Sequence, residues 1–196
     1  MTSKVALCND ALLLLGDKII TDLNENTPQA RACKTVYDGA LRTLLVSWPW
    51  GCAIRRALLP QSAEQSAFGT SNAYLRLPDD LKLLPLTENG ERDGEPVPYS
   101  IEGRFVHTTL EAPLRVRYIT SLLEPVDMPP ALYDCLAALL AVRLSEKLTG
   151  SKNKLNSMNA IYQQRMREAV MADSFERSAE EIEVGSWLEA RHASQN

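Results

Sequence analysis

The feature that most constrains the fold of this chain is a change of hydrophobic period partway along it. Near both ends, apolar residues recur every three or four positions, as Cys33, Val36, Ala40 and Leu44 do, and that spacing is typical of amphipathic helices. Residues 52–123 instead hold six of the eleven prolines and short alternating runs, which indicate strands. The sequence therefore predicts a mainly α fold: an antiparallel helix bundle with an inserted small antiparallel β region and an extended C-terminal arm.

Capping residues predict where the helices begin and end. Gly16 stands where a left-handed glycine closes a helix, and Thr27 followed by Pro28 is typical of an N-cap and a first-turn proline. The short Gly150-Ser151 joint predicts an antiparallel pair of helices on either side of it. The predicted helices cover residues 3–15, 28–47, 129–149 and 152–174.

Two turn signals lie close together in the proline-rich middle of the chain. Asn89-Gly90 and Asp93-Gly94 are dipeptides that favour tight turns. We therefore interpret residues 52–123 as a small antiparallel sheet or a pair of hairpins inserted between helices. The loop that carries these four residues is a candidate contact surface.

The end of the sequence departs from the pattern of the body. We assign residues 1–175 to the body and residues 176–196 to a C-terminal arm, in which Trp187 and Leu188 follow an acidic stretch. A terminal segment rarely carries a large aromatic residue unless something holds it. Trp187 and Leu188 could dock onto the body of the same chain, or they could insert into a neighbouring subunit or another partner, where tryptophan is a favoured anchor.

The Trp48-Pro49-Trp50 sequence at the end of the second predicted helix has two interpretations as well. Two tryptophans around a proline can lock a turn into the core, or they can form a subunit contact. We favour the core role, because large aromatic side chains bury much apolar area.

Composition excludes several classes of protein. The net charge is −4, from 21 basic and 25 acidic residues, which argues against tight nucleic-acid binding, because that affinity depends on a basic face. The longest apolar run near the start, residues 11–15, is far short of the roughly 20 residues that cross a bilayer. The four cysteines are scattered, and we expect Cys8, Cys33 and Cys135 to be buried and reduced.

The residue types that carry chemistry form no recognisable constellation. The two histidines, His107 and His192, have no cysteine or carboxylate at ligand spacing, so we expect no metal site. The sequence has no G-x-S-x-G nucleophile motif. We therefore expect a protein that is not an enzyme and that has no cofactor.

Three blocks of sequence together resemble a known family. The first comprises residues 11–16, 26–33 (NTPQARAC), Tyr37-Asp38, Leu41 and 47–53 (SWPWGCA). The second comprises residues 74–80 (YLRLPDD), 101–104 (IEGR) and 114–118 (LRVRY), and the third is the helix pair joined at 148–151 (LTGS). In this order, over roughly residues 5 to 175, they resemble the tail tubular protein A family, the head-to-tail adaptors (connectors) of short-tailed bacteriophages.

The resemblance implies a structural virion protein. It implies a homo-oligomeric, dodecameric ring in the tail neck, assembled in the host cytoplasm. Such a ring binds the portal protein above and the tail nozzle protein below, and DNA passes through its lumen during genome ejection without specific binding. No membrane is involved. The acidic balance of the chain is compatible with a channel that does not grip DNA.

Two hypotheses place the contacts of such a ring. The arm around Trp187 and Leu188 would bind the portal or a neighbouring subunit. The loop with Asn89, Gly90, Asp93 and Gly94 would be free to face the tail nozzle.

Three alternatives remain at this point. The nearest is a head-completion connector of a long-tailed phage, which shares the class but not the partners. A small virion-associated hydrolase would need a catalytic constellation. A regulatory or DNA-binding module would need a basic recognition helix.

Overall fold

A computed structural model describes residues 2–63 and 72–178 of the chain. Four helices fall where capping predicted them: α1 (Lys4–Leu15), α2 (Pro28–Ser47), α3 (Pro130–Thr149) and α4 (Lys152–Ser178). The Ser3 hydroxyl caps α1 by accepting the Ala6 N–H at 3.1 Å. The Thr27 hydroxyl caps α2 by accepting the Ala30 N–H at 3.2 Å.

The helices form one layer around α3. This helix packs against α1, α2 and α4, and its predicted stripe is buried at Leu132, Leu136, Leu139, Leu140 and Leu144. Gly150 ends α3 in the left-handed conformation, with a φ of 61°, so α4 returns antiparallel after a very short joint. The helical core extends beyond the helices to Trp50, Ile119 and Leu123.

The described part of the middle region folds into two antiparallel sheets of three strands each. The strands are β1 (Ile54–Leu59), β2 (Asn72–Leu75), β3 (Asp80–Leu83), β4 (Tyr99–Glu102), β5 (Phe105–Thr108) and β6 (Leu114–Thr120). The first sheet has the order β1-β6-β3, and the second has the order β2-β5-β4. Along β1, Ile54 pairs with Ile119 and Leu59 pairs with Leu114. The strand interpretation is therefore confirmed, although the pairing is more extensive than one small sheet.

The two sheets have a hydrophobic core of their own. Its buried members include Tyr74, Val106, Leu114 and Val116. Strand β6 joins the two cores, because its Tyr118 packs in the β core while its neighbour Ile119 is buried among the helices. We call the two sheets and their core the β lobe.

The prediction of a mainly α fold was wrong. Residues 2–63 and 72–178 form four α-helices and two three-stranded antiparallel sheets, which is an α+β fold. The strands are short, and of the described strands only β4 and β5 pair as a local hairpin; the partners of β1, β2 and β3 are distant in sequence. The hydrophobic core that the two sheets share can be recognised only once the strand pairing is known.

The boundary of the C-terminal arm also needs correction. Residues 176–178, which we had assigned to the arm, belong to α4, which runs to Ser178. The rest of the arm lies outside the described residues, and so do Trp187 and Leu188. Among the described helices, none combines the length and the apolar character needed to cross a membrane.

Candidate functional site

The loop between β3 and β4 contains the two predicted turns. Thr87 forms an isolated bridge with Pro96, and the Glu88 N–H donates to the Glu95 carbonyl at 3.1 Å. Gly90 has a φ of 78°, a conformation that residues with a side chain rarely adopt. The Asn89 side chain folds inward, accepts the Glu91 N–H at 2.9 Å, and occupies the space next to Gly94.

This loop lies against the first sheet rather than projecting free of it. A Cβ on Gly90 would stand only 2.6 Å from the Cβ of Arg115 on β6. Glu91 forms an ion pair with Arg56 of β1 at 3.1 Å. Asn89, Gly90 and Glu91 line one side of a cavity of about 270 Å³ whose other side is formed by β1 and β6.

The exposed side of the loop remains available for contact. Asn89 and Asp93 are exposed, while Gly90 and Gly94 are half-buried. The structure thus brings all four predicted residues into one ordered loop. That the loop contacts a tail nozzle stays a prediction.

The Trp48-Pro49-Trp50 turn is fastened to the far end of α4. Trp50 is 1% exposed, and its Nε1 donates to the Leu44 carbonyl at 2.8 Å, so the core role that we favoured is confirmed for Trp50. Trp48 is only half-buried, and its Nε1 donates to Asp173 Oδ2 at 2.8 Å. Asp173 Oδ1 accepts the Gly51 N–H at 2.7 Å.

Asp173 also forms an ion pair with Arg177, one turn further along α4, at 2.8 Å. The Arg177 guanidinium lies over the Trp48 ring, 5.7 Å from its centroid, which is within the range of cation–π attraction. Sequence reasoning missed Asp173 and Arg177. The spacing of an acid and a base by four residues on a helix is a weak signal that many surface helices share.

A groove of about 770 Å³ opens beside this junction, between the end of α4 and the first sheet. Its basic lining is concentrated: five arginines reach it, and only two acids, Asp173 and Glu176, accompany them. We call it the arginine groove. The arginines are Arg55, Arg56, Arg92, Arg117 and Arg177.

Apolar residues form the rest of this groove. Ile54 and the buried Leu84 line it together with Pro49 and Pro85. Cys52 also lines the groove as a free thiol, and burial raises the pKa of that thiol to about 11. An arrangement of fixed guanidinium groups beside apolar surface can bind an anionic chain that also carries apolar side chains.

Arg117 is a groove residue whose positive charge is disfavoured by its surroundings. Burial lowers the pKa of Arg117 from its ordinary value, and the nearby guanidinium of Arg56 lowers it further. Within the described residues, the Nε atoms of Arg117 and Arg177 are buried and have no hydrogen-bond partner. Both atoms are shielded from solvent, and an unpaired buried donor is energetically costly.

The remaining cysteines take the positions expected of them. Cys8, Cys33 and Cys135 are free and buried, which confirms their predicted role as small apolar residues. Burial raises the pKa of Cys135 to about 12. Among residues 2–63 and 72–178, no group of three or more histidine, cysteine or acidic side chains is placed to hold a metal ion.

Taken together, the described residues define an α+β fold with a helical layer, a β lobe and an arginine groove at their junction. No protein-family model matches this chain, and no curated protein matches it either.

Proposed function

We propose that this chain is a non-enzymatic virion subunit, the head-to-tail adaptor that joins the portal of a short-tailed bacteriophage to its tail nozzle. The observation that carries this proposal is the order of the three sequence blocks, which extends over roughly residues 5 to 175. Each block alone is common, but their order and spacing resemble the tail tubular protein A family.

The described architecture is compatible with such a role. The first and third blocks form the helical layer, and the second block forms much of the β lobe. A ring subunit must offer two different surfaces to its two neighbours, because its contacts are head-to-tail. A helical layer on one side and a β lobe on the other provide surfaces that differ in shape and chemistry.

Exposed apolar side chains on α4 supply one such surface. Met171 is 59% exposed and Phe175 is 73% exposed. They are four residues apart, so they lie on the same face of the helix. Large side chains that remain this exposed are well suited to burial against another subunit.

The β4 edge of the second sheet is another surface suited to contact with a neighbouring subunit. Among the described strands, β4 borders the second sheet and pairs on one side only, with β5. An edge strand presents unpaired main-chain donors and acceptors that a neighbouring chain can extend. The Ile101 side chain on this strand is 44% exposed, which adds apolar area to such a contact.

Electron microscopy of the protein mixed with the portal encoded in the same genome tests this function. We expect ring-shaped particles with a central opening, seen alone or on the portal. Particles of portal alone, beside a subunit that adds no density to them, would contradict the adaptor role.

A further inference from the structure

A groove of about 310 Å³ opens on the helical layer where α1, α3 and α4 meet. We call it the helical groove. The small, buried side chains of Ala137 and Ala138 on α3 lie at its base. Leu13 and Leu14 of α1 line one side of it, and Ile161 of α4 lines the other. Leu13 is 62% exposed, so the groove presents apolar surface to solvent.

The rim of the helical groove carries more acid than base. Asp10 and Asp134 line it and are exposed. Among the described residues that line the groove, Arg165 alone is basic, and it pairs with Glu168 at 3.1 Å and with Asp134 at 3.8 Å. Asp10 accepts a hydrogen bond from the uncharged Tyr133 hydroxyl at 2.8 Å. The rim therefore attracts a cationic group on an approaching partner.

The exposed side of α4 near the end of the helix has the opposite character. Met171 and Phe175 are 59% and 73% exposed. The exposed Arg167 precedes Met171 by four positions, so the three side chains share one side of the helix. Glu168 adjoins them, but its carboxylate pairs with Arg165 at 3.1 Å. We call Arg167, Met171 and Phe175 the α4 face.

We propose that the helical groove of one copy of this chain binds the α4 face of a second copy. Met171 and Phe175 pack against the apolar sides of the groove, and Arg167 lies beside Asp134 on its rim. The two surfaces differ, so the contact is of the head-to-tail kind that builds rings. The inference rests on the proposed function only to the extent that copies of the chain associate.

The α4 face of one copy cannot fill the helical groove of the same copy. Arg165 lines the groove, whereas Phe175 lies ten residues further along the same helix, which is about 15 Å along its axis. A continuous helix holds these two positions apart. The α4 face can therefore reach a helical groove only on another molecule.

A second exposed apolar patch fits the helical groove less well. Leu122 and Val126 are 72% and 70% exposed. Glu124 between them is paired with Lys4 at 3.2 Å, while the carboxylate of Asp127, next to Val126, is exposed. That carboxylate would face the acidic rim of the groove, and like charges in an interface are unfavourable. Charge therefore favours the α4 face.

Sedimentation velocity of the full chain over a range of concentrations tests the contact. Leu13→Glu places a charge in the groove and should weaken association at least tenfold. Leu122→Glu is the matched control, because it makes the same change at an exposed leucine outside the groove, and it should leave association unchanged. Circular dichroism should be unaltered in both, since both side chains are mostly exposed. If association occurs only on the portal, native mass spectrometry of that complex supplies the comparison.

Charge complementation tests whether these two surfaces meet. Arg167→Glu and Asp134→Arg should each weaken association about fivefold, which is the order of one exposed ion pair. An equimolar mixture of the two variants should regain most of the lost association, because each keeps the surface that the other has altered. Asp127→Arg is the control for Asp134→Arg, since it reverses an exposed acid outside the groove, and it should not weaken association.

Several outcomes would overturn this contact. A wild-type chain that stays monomeric both alone and with the portal would exclude a second copy from the groove, and so would equal losses from Leu13→Glu and Leu122→Glu. A mixture that associates no better than its components would show that Arg167 does not lie beside Asp134. Leu13→Glu that spares self-association but abolishes portal binding would assign the groove to the portal.

The contact and the adaptor role can fail separately. Self-association that Leu13→Glu weakens, in a chain that never binds the portal, would overturn the adaptor role alone. A ring on the portal that tolerates Leu13→Glu would overturn the groove contact alone.

Discussion

One carboxylate fastens the end of α4 to the turn that follows α2. Asp173 accepts hydrogen bonds from the Trp48 indole and the Gly51 main chain, and it pairs with Arg177. The sequence predicted that the Trp-Pro-Trp turn packs in the core. Its partner was not, because Gly51 and Asp173 are 122 positions apart and no local pattern connects them.

Removal of this carboxylate should destabilise the fold. Asp173→Ala leaves the Trp48 and Gly51 donors and the Arg177 cation without their acceptor, so we expect a loss of about 3 kcal/mol in the free energy of unfolding. Asp173→Asn keeps one side-chain acceptor and should cost less. Urea unfolding monitored by circular dichroism measures both, and a loss below about 0.5 kcal/mol for Asp173→Ala would contradict this role.

Gly90 tests how firmly the loop between β3 and β4 is held. Gly90→Ala should cost about 2 kcal/mol, because it combines a strained positive φ with a steric clash against Arg115. Gly103→Ala is the matched control, since Gly103 also has a positive φ but no atom within 4 Å of its added Cβ. Equal losses of stability in the two variants, measured by thermal unfolding, would show that the loop does not press on β6.

The elements differ in how far the sequence could predict them. The helices have local caps, such as Ser3, Thr27 and Gly150, so their positions agreed with prediction within a few residues. The strands were recognised as strands, but not their arrangement. Ile54 pairs with Ile119 across most of the middle region, and such a register depends on packing that sequence spacing does not encode.

The candidate sites also differ in whether local sequence or distant contacts determine them. The turns at Asn89-Gly90 and Asp93-Gly94 were predictable because their chemistry is local. The arginine groove was not, because Arg55, Arg117 and Arg177 come from two strands and a helix that meet only in the folded chain.

The exposed face of α4 should matter for assembly and not for folding. The double substitution Met171→Asp and Phe175→Asp changes side chains that are mostly exposed, so we expect unchanged secondary structure and a loss of stability within about 0.5 kcal/mol. Association should weaken at least tenfold, since two large apolar contacts are replaced by charges.

Asn159→Asp is the control for this variant, because it adds charge at another exposed position of α4. Sedimentation velocity over a range of concentrations compares the three proteins. Normal association of the double variant would exclude this face of α4 from the subunit contact.

At the scale of the whole molecule, the described residues form two hydrophobic cores that share one strand. The helical layer and the β lobe are joined through β6, which buries Tyr118 on one side and Ile119 on the other. This arrangement explains why a chain with strong helical periodicity is nevertheless an α+β protein. It also couples the two surfaces that an adaptor would present to its neighbours.

Native mass spectrometry of the full chain, alone and mixed with the portal encoded in the same genome, tests the adaptor proposal most directly. The subunit mass is 21.8 kDa, so a closed ring appears as a discrete multiple of that value. We predict one such species, twelve subunits by the resemblance, either alone or only on the portal. A chain that stays monomeric at every concentration and adds no mass to the portal would contradict the proposal.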